Sequence, residues 1–170
     1  MHKQVNKTQF WKERIELAKK QGKLHYSVYL ANDTLWKTIY DAHKEVIEKV
    51  IPKESKVLDL GCGYGRMSPL FDNYIGVDFS PEFIEEAKEL YPDKKFLIAD
   101  FKDMPFLDEE FDWGIMISIK NMIVGNLGQE EWNLIEKECK RVCKNILLLE
   151  YGEKEDYTDT PLTISNHIIL

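Results

Sequence analysis

The sequence lacks the features that mark a chain for the membrane, for disorder or for secretion. No apolar run approaches the ~20 residues that cross a bilayer, so no membrane association is expected. Glycine and proline together number fifteen of 170 residues, too few for a collagen-like or low-complexity chain. Aromatics, at 12%, are too many for a disordered one. Cysteine is scarce as well: Cys62, Cys139 and Cys143 are all there are. An odd count, with no secretory apolar segment behind Met1, points to a reducing, cytoplasmic setting where thiols act as small buried hydrophobes. Cys139 and Cys143 stand four apart, but a closed zinc site needs two more ligands at matching spacing and none is visible, so no metal is expected.

What is present fits one soluble domain spanning 1–170: 44% hydrophobic and 31% charged residues, enough for a single core. The charge is uneven. Residues 1–23 hold seven Lys/Arg against two acids, so the net of −7 conceals an arm of +5 and a body of −12. An acidic body argues against nucleic acid as a partner, because gripping a phosphate backbone takes dense neutralising Lys and Arg. The basic arm reads most simply as a solvated amphipathic helix.

Residues 8–21 carry Trp11, Ile15 and Ala18 on one helical stripe, with Phe10 and Leu17 beside it and Gly22 as a stop. The aromatic stretch 24–30 completes an N-terminal arm or lid over 1–33. A second helix is predicted from Thr34 to Val50, capped by Asn32 or Asp33, with Leu35, Ile39, Ala42, Val46 and Val50 inward. From Lys56 the rhythm changes to short Val/Ile/Leu-rich segments at Lys56–Leu60, Tyr74–Asp78, Lys95–Ala99, Asp112–Ser118 and Asn145–Glu150. Between them lie a helix opened by Ser80-Pro81, with Phe83, Ile84, Ala87 and Leu90 inward, and another over 129–143, with Trp132, Ile135, Cys139 and Val142. Strands alternating with helices require crossovers, hence an α/β fold with a mostly parallel sheet between helical layers, its core at 34–151.

The segment Val57-Leu58-Asp59-Leu60-Gly61-Cys62-Gly63-Tyr64-Gly65-Arg66 carries the chemistry. A strand ending in Asp runs into glycines at alternate positions, which permit a tight turn and a close approach of ligand to backbone. A dinucleotide loop needs Gly-x-Gly-x-x-Gly, whose third glycine falls at Arg66, and a carboxylate at Asp59 repels a pyrophosphate while attracting an ammonium group. Asp78 ends the second strand nineteen residues after Asp59, where nucleotide-binding α/β folds place an acid on ribose hydroxyls. Asp100 and Phe101 follow the third strand and Ser118 closes the fourth; in an open parallel sheet these strand ends line one crevice.

From about Leu35 to Tyr151 the chain resembles the class I S-adenosylmethionine-dependent methyltransferases, their small-molecule branch above all, through VLDLGCGYGR, IGVDFSPEFIEEAKE, FLIADFKDMPFLDEEFD and WGIMIS. The resemblance implies a Rossmann-like three-layer fold and S-adenosyl-L-methionine as cofactor, with S-adenosyl-L-homocysteine as product. Asp59, Gly61, Cys62, Gly63 and Gly65 would face its methionine end, Asp78 would hold the ribose, and Phe79 would pack on the adenine. Asp100 and the Phe101 backbone would read the adenine edge, beside Ser118.

The acceptor pocket of that family is built outside the motif core. In this chain that leaves the arm, with Trp11, His25, Tyr26 and Tyr29, and the loop after the fourth strand, with Lys120, Asn121 and Met122. His25, Tyr26 and Lys120 are the candidate catalytic groups; Tyr29, Trp36 and Asn121 are candidates for the substrate pocket. An aromatic cluster at a helix junction also serves plain packing, and a loop lysine plain solvation. Two departures from the family stand out. Ser118-Ile119-Lys120-Asn121 lacks the Asn/Asp-Pro-Pro-aromatic run of enzymes that methylate base amines or protein glutamine. Twenty residues after Glu150 are too few for a helix and the usual sixth and seventh strands, so the sheet is expected to be truncated, with Thr163–Leu170 forming one further strand or a short hairpin with part of residues 151–160. The expected activity is methyl transfer to a small molecule by a monomer or homodimer; the alternative is a binding or regulatory subunit completed by a partner chain.

Overall fold

The change of rhythm at Lys56 is where the sheet begins. The computed structural model describes residues 7–27, 33–150 and 166–170. Its strands are β1 Lys56–Leu60, β2 Asn73–Asp78, β3 Lys95–Ile98, β4 Phe111–Ile117, β5 Cys143–Glu150 and β6 Asn166–Ile169. They form one sheet of order β3-β2-β1-β4-β5-β6 in which the first five run parallel and β6 pairs antiparallel with β5. The central strand β1 is buried on both faces, with Val57, Leu58 and Leu60 fully inaccessible, so its sequence is an apolar run broken only by Asp59. The expected extra strand forms over Asn166–Ile169; residues 151–165, including the alternative hairpin, lie outside the described residues.

The helices are α1 Lys7–Lys20, α2 Asp33–Val50, α3 Pro81–Leu90, α4 Lys120–Leu127 and α5 Gln129–Val142, with short 3-10 turns at Leu24–Ser27 and Ser68–Leu70. One sheet face packs Leu58, Leu60, Val77, Met116 and Leu148 against α4 and the predicted α5 stripe of Trp132, Ile135, Cys139 and Val142. The other packs Val57, Tyr74, Phe96, Ile115 and Leu147 against Ile47 of α2 and Ile84 and Ala87 of α3. The predicted cap of α3 is in place: Ser80 Oγ accepts from the Phe83 amide at 3.4 Å and Pro81 opens the first turn.

Three expectations change. The fully buried positions of α2 are Ile39, His43 and Ile47; of the predicted stripe Ile39 is among them and Val46 and Val50 pack beside it partly buried, while the polar His43 takes a central place that apolar spacing did not assign. Leu90 is 46% exposed rather than inward, because the chain turns off the helix there and Tyr91 packs against the core instead. Residues 120–122 belong to a helix rather than a loop. The cap of α4 comes from thirty residues away: Glu150, at the end of β5, accepts the Lys120 amide at 2.8 Å and the Asn121 amide at 3.4 Å. A carboxylate at a helix N-terminus satisfies donors that otherwise lack partners and meets the positive end of the helix dipole. Glu150→Ala is therefore expected to cost about 2 kcal/mol in urea denaturation, with faster amide exchange across 119–123.

All three cysteines are buried and free, and two of them explain nearby glycines. A Cβ on Gly76 would lie 2.9 Å from Cys62 Sγ, and one on Gly114 would lie 2.9 Å from Cys143 Sγ. The thiols thus fill space that the strands leave by omitting a side chain. Burial pushes the Cys139 thiol up to about 12, which keeps it a protonated hydrophobe.

Candidate functional site

The glycine-rich turn is set by backbone geometry. Gly61, Gly63 and Gly65 have φ of +79°, +54° and +79°, a region that side chains disfavour, and the Gly61 and Cys62 amides both donate to the Val77 carbonyl at 2.9 and 3.0 Å. This ties the turn after β1 to the end of β2. A Cβ on Gly61 would fall 2.5 Å from Ile119 Cδ1 and 3.7 Å from Phe101 Cζ. The turn after β1, the segment after β3 and the segment after β4 therefore meet at one point, as the strand-end acids and Ser118 suggested.

Asp78 is the best-held group there. It is 6% exposed; Oδ2 accepts the Gly63 amide and Oδ1 the Ser80 amide, each at 3.0 Å. Burial raises its pKa, while the Ser80, Gly63 and Phe79 amides oppose that by favouring the charged form. A carboxylate has about four acceptor sites, so capacity for a further donor remains. Beside it Phe79 is 36% exposed. Asp100 is exposed and accepts the Lys102 amide at 2.9 Å, while Phe101 is buried in the core. Ser118 has φ of +58°, a left-handed conformation uncommon for serine, and its amide donates to the Leu149 carbonyl at 2.8 Å. Strain of this kind persists only where neighbours enforce it, and here the end of β5 does so, through the Leu149 carbonyl and the Glu150 cap that follows.

Asp59 is placed differently from the rest. It shares a sheet face with Val57, is 3% exposed, and accepts the Tyr74 hydroxyl at 2.7 Å. Burial pushes its pKa up to about 6, against the Tyr74 hydrogen bond and the nearby Arg66 charge. Arg66 is itself 9% exposed; its Nη2 lies 3.3 Å from His43 Nδ1 and its guanidinium 5.3 Å from the Trp36 ring. Since guanidinium only donates, His43 Nδ1 accepts and the ring proton sits on Nε2. Burial first, and Arg66 second, push the His43 pKa down to about 2. Sequence reasoning missed His43, Arg66 and Tyr74; the only available signal was the Ile39-His43-Ile47 spacing.

The linkage signs of this network oppose one another. His43, neutral when folded, contributes stability that is complete above its unfolded pKa of 6.5 and is lost as pH falls toward 2. Asp59, raised from 3.8 to about 6, contributes stability that is complete below 3.8 and is lost as pH rises to 6. Between pH 4 and 6 each amounts to about 1.4 kcal/mol per pH unit, and the two nearly cancel. His43→Gln keeps an acceptor for Arg66 but removes one side of that balance. The variant is expected to gain about 2 kcal/mol relative to wild type between pH 6.5 and 5 in urea denaturation; a pH-independent difference would mean that His43 is not held neutral.

The arm candidates form a cluster of their own. His25 Nε2 lies 3.0 Å from Asp33 Oδ1, stacks on Trp36 at 5.4 Å and meets Tyr26 edge-on at 4.6 Å; the Tyr26 hydroxyl accepts from Lys23 Nζ at 3.2 Å. Trp36 connects this cluster to Arg66, directly after the glycine turn. Lys120 carries its ammonium 5.5 Å over the Trp132 ring, between α4 and α5. Asn121 is exposed on the first turn of α4. Tyr29 lies outside the described residues.

The residues at these strand ends fit an S-adenosyl ligand: a left-handed glycine turn, an acid with acceptor capacity to spare, and apolar Ile119 and Phe101 beside them. Among the described residues no group of three or more His, Cys, Asp or Glu is placed to hold a metal ion. No helix among them is long and apolar enough to cross a membrane. A mostly parallel sheet with this strand order, a glycine turn after β1, an acid ending β2 and another just after β3 define the class I S-adenosylmethionine-dependent methyltransferase fold. The chain belongs to the methyltransferase domain family, whose model matches residues 58–146. It is 35% identical over 106 residues to the uncharacterized protein MJ1123 of Methanocaldococcus jannaschii, covering 62% of this chain and 47% of that one. It is 27% identical over 135 residues to the demethylmenaquinone methyltransferase of Thermotoga maritima, covering 75% and 54%. Among solved structures, the PH0226 protein of Pyrococcus horikoshii superposes with a TM-score of 0.61 at 27% identity, covering 71% of this chain and 60% of that one. The chain spans about half the length, or less, of the curated relatives at the head of these matches.

Proposed function

We propose that the chain binds S-adenosylmethionine in the crevice at the ends of β1, β2, β3 and β4 and transfers its methyl group to a small-molecule acceptor. The observation that carries this reading is the Asp78 carboxylate, oriented by the Gly63 and Ser80 amides beside three left-handed glycines. When bound, S-adenosylmethionine supplies a methyl carbon made electrophilic by its sulfonium, open to in-line attack by an acceptor lone pair with release of S-adenosylhomocysteine. The protein's share of that chemistry is alignment and exclusion of water, which can supply about 7–11 kcal/mol of the barrier. Asp78 would accept the ribose hydroxyls, Phe79 would pack on the adenine, and Asp100 with the Phe101 backbone would receive its edge. The buried Asp59 charge would favour the ammonium end through its field rather than by direct contact. Ile119 and Phe101, which a Cβ on Gly61 would meet, would give the crevice an apolar floor.

A small-molecule acceptor is supported by the acidic body, by the absence of a Pro-Pro run after Ser118, and by the name of the Thermotoga maritima relative. His25, Tyr26, Trp36 and Asn121 are the described side chains proposed to border the acceptor, and Lys120 is the one proposed to meet an anionic group. The test is calorimetry with S-adenosylhomocysteine, followed by incubation with methyl-labelled S-adenosylmethionine and a pool of small metabolites. Binding with transfer of label to a small molecule is expected. Absence of binding would overturn the cofactor assignment; binding without transfer to any acceptor would favour a binding subunit.

A further inference from the structure

Of the two side chains that flank Gly65, Tyr64 packs against α1 of the N-terminal arm, and Arg66 reaches the arm through Trp36 of α2. Tyr64 packs with Ile15 of α1 and Phe83 of α3, and Arg66 lies under the Trp36 ring, whose near-parallel partner is His25. Across the same junction Lys19 of α1 pairs with Glu86 of α3, a buried acid. The arm thus rests on the residues that make the turn, and Arg66 joins it to the network under β1: His43 Nδ1 at 3.3 Å, and beyond it the Asp59 charge with its Tyr74 partner.

We propose that Arg66 is a positioning residue that couples docking of the N-terminal arm to occupation of the S-adenosylmethionine crevice. The inference rests on the cofactor reading above. A ligand that orders the turn through Gly63 and Asp78 also fixes Tyr64 and Arg66, and so holds the surfaces on which α1 and the Leu24–Ser27 turn sit. By reciprocity, a docked arm raises affinity for the ligand. A planar guanidinium is suited to this place because one face meets the indole while its edge donates to the imidazole, which an ammonium cannot do at once. The same cation sits near Asp59. The other titratable groups facing Asp59 are Tyr74 on β2, Asp78 at its end and Cys62 in the turn, with the neutral His43 of α2 behind Arg66.

The test combines hydrogen exchange at α1 with S-adenosylhomocysteine affinity between pH 5 and 8, on the full chain. In wild type, saturating S-adenosylhomocysteine is expected to slow exchange of the Ile15–Ala18 amides about tenfold, and affinity is expected to fall as Asp59 protonates below pH 6. Arg66→Gln should abolish the slowing, weaken binding about tenfold at pH 7, and move the midpoint of the pH profile upward by about one unit, since a buried acid that loses a neighbouring cation protonates sooner. Arg66→Lys keeps the charge without the flat face: the midpoint should stay and the slowing should vanish. Arm exchange that ignores the ligand in wild type would overturn the coupling while leaving the cofactor reading intact. Absence of binding by wild type would overturn both. A variant that merely lowers Tm, with affinity reduced equally at every pH and the slowing preserved, would assign Arg66 to packing alone.

Discussion

Asp78→Asn is expected to weaken S-adenosylhomocysteine binding by at least about a hundredfold while leaving the chain folded. Each hydrogen bond from a ribose hydroxyl to an ionised acceptor contributes about 1.5–3 kcal/mol, and two such bonds together account for that factor or more. The asparagine preserves the outline of the side chain but replaces one acceptor oxygen with a donor, which then faces the Gly63 or Ser80 amide instead of accepting from it. A modest loss of stability, about 1 kcal/mol, should accompany the loss of binding. Asp100→Asn, at an exposed position, should cost affinity much less. Calorimetric titration of the two variants beside wild type decides the matter. A change of less than threefold at Asp78 would remove it from the site.

Gly65→Ala is expected to damage the fold well beyond a backbone penalty alone. Its φ of +79° penalises any side chain by roughly 1–2 kcal/mol. A Cβ there would also lie 2.7 Å from two atoms of the Phe96 ring, which is 2% exposed and held between the sheet and α3. Overpacking against a ring that cannot swing away adds roughly 1–3 kcal/mol. The total, about 3 kcal/mol, should lower Tm by roughly 6–12 °C in a domain of this size. Gly22→Ala is the matched control: φ is +64° but nothing lies within 4 Å, so only the backbone penalty of about 1 kcal/mol applies. Equal Tm losses for the two would mean that the Phe96 contact contributes nothing.

Much of this molecule is legible in one dimension. The five parallel strands, the Ser80-Pro81 start of α3 and the buried stripe of α5 follow from apolar spacing and turn residues, because periodicity reports which side of an element is shielded from water. The strand-end acids and the glycines could be collected into one crevice on paper, because a parallel sheet delivers all its strand ends to the same edge. His43 shows where periodicity fails: its spacing was apolar-like, but its chemistry was not, and only burial against Arg66 reconciles them.

Pairing between distant groups is what sequence patterns leave out. The cap of α4 is one such pairing, made by Glu150, thirty residues downstream, reaching the first amides of the helix across the β4–β5 register. Whether Asp59 faced the crevice or the interior depended on a strand parity that also carries Tyr74 to the same face. The sequence by itself determined the parallel sheet, the glycine turn and the acids at its edge, since those follow from local conformational preference and apolar period. The tertiary structure decided which acid ends at the glycine turn with acceptor capacity to spare, which is buried beside Tyr74 and Arg66, and how the arm is attached. Those outcomes depend on desolvation and on hydrogen-bond partners fifteen to thirty residues apart, and neither exists until the chain is packed.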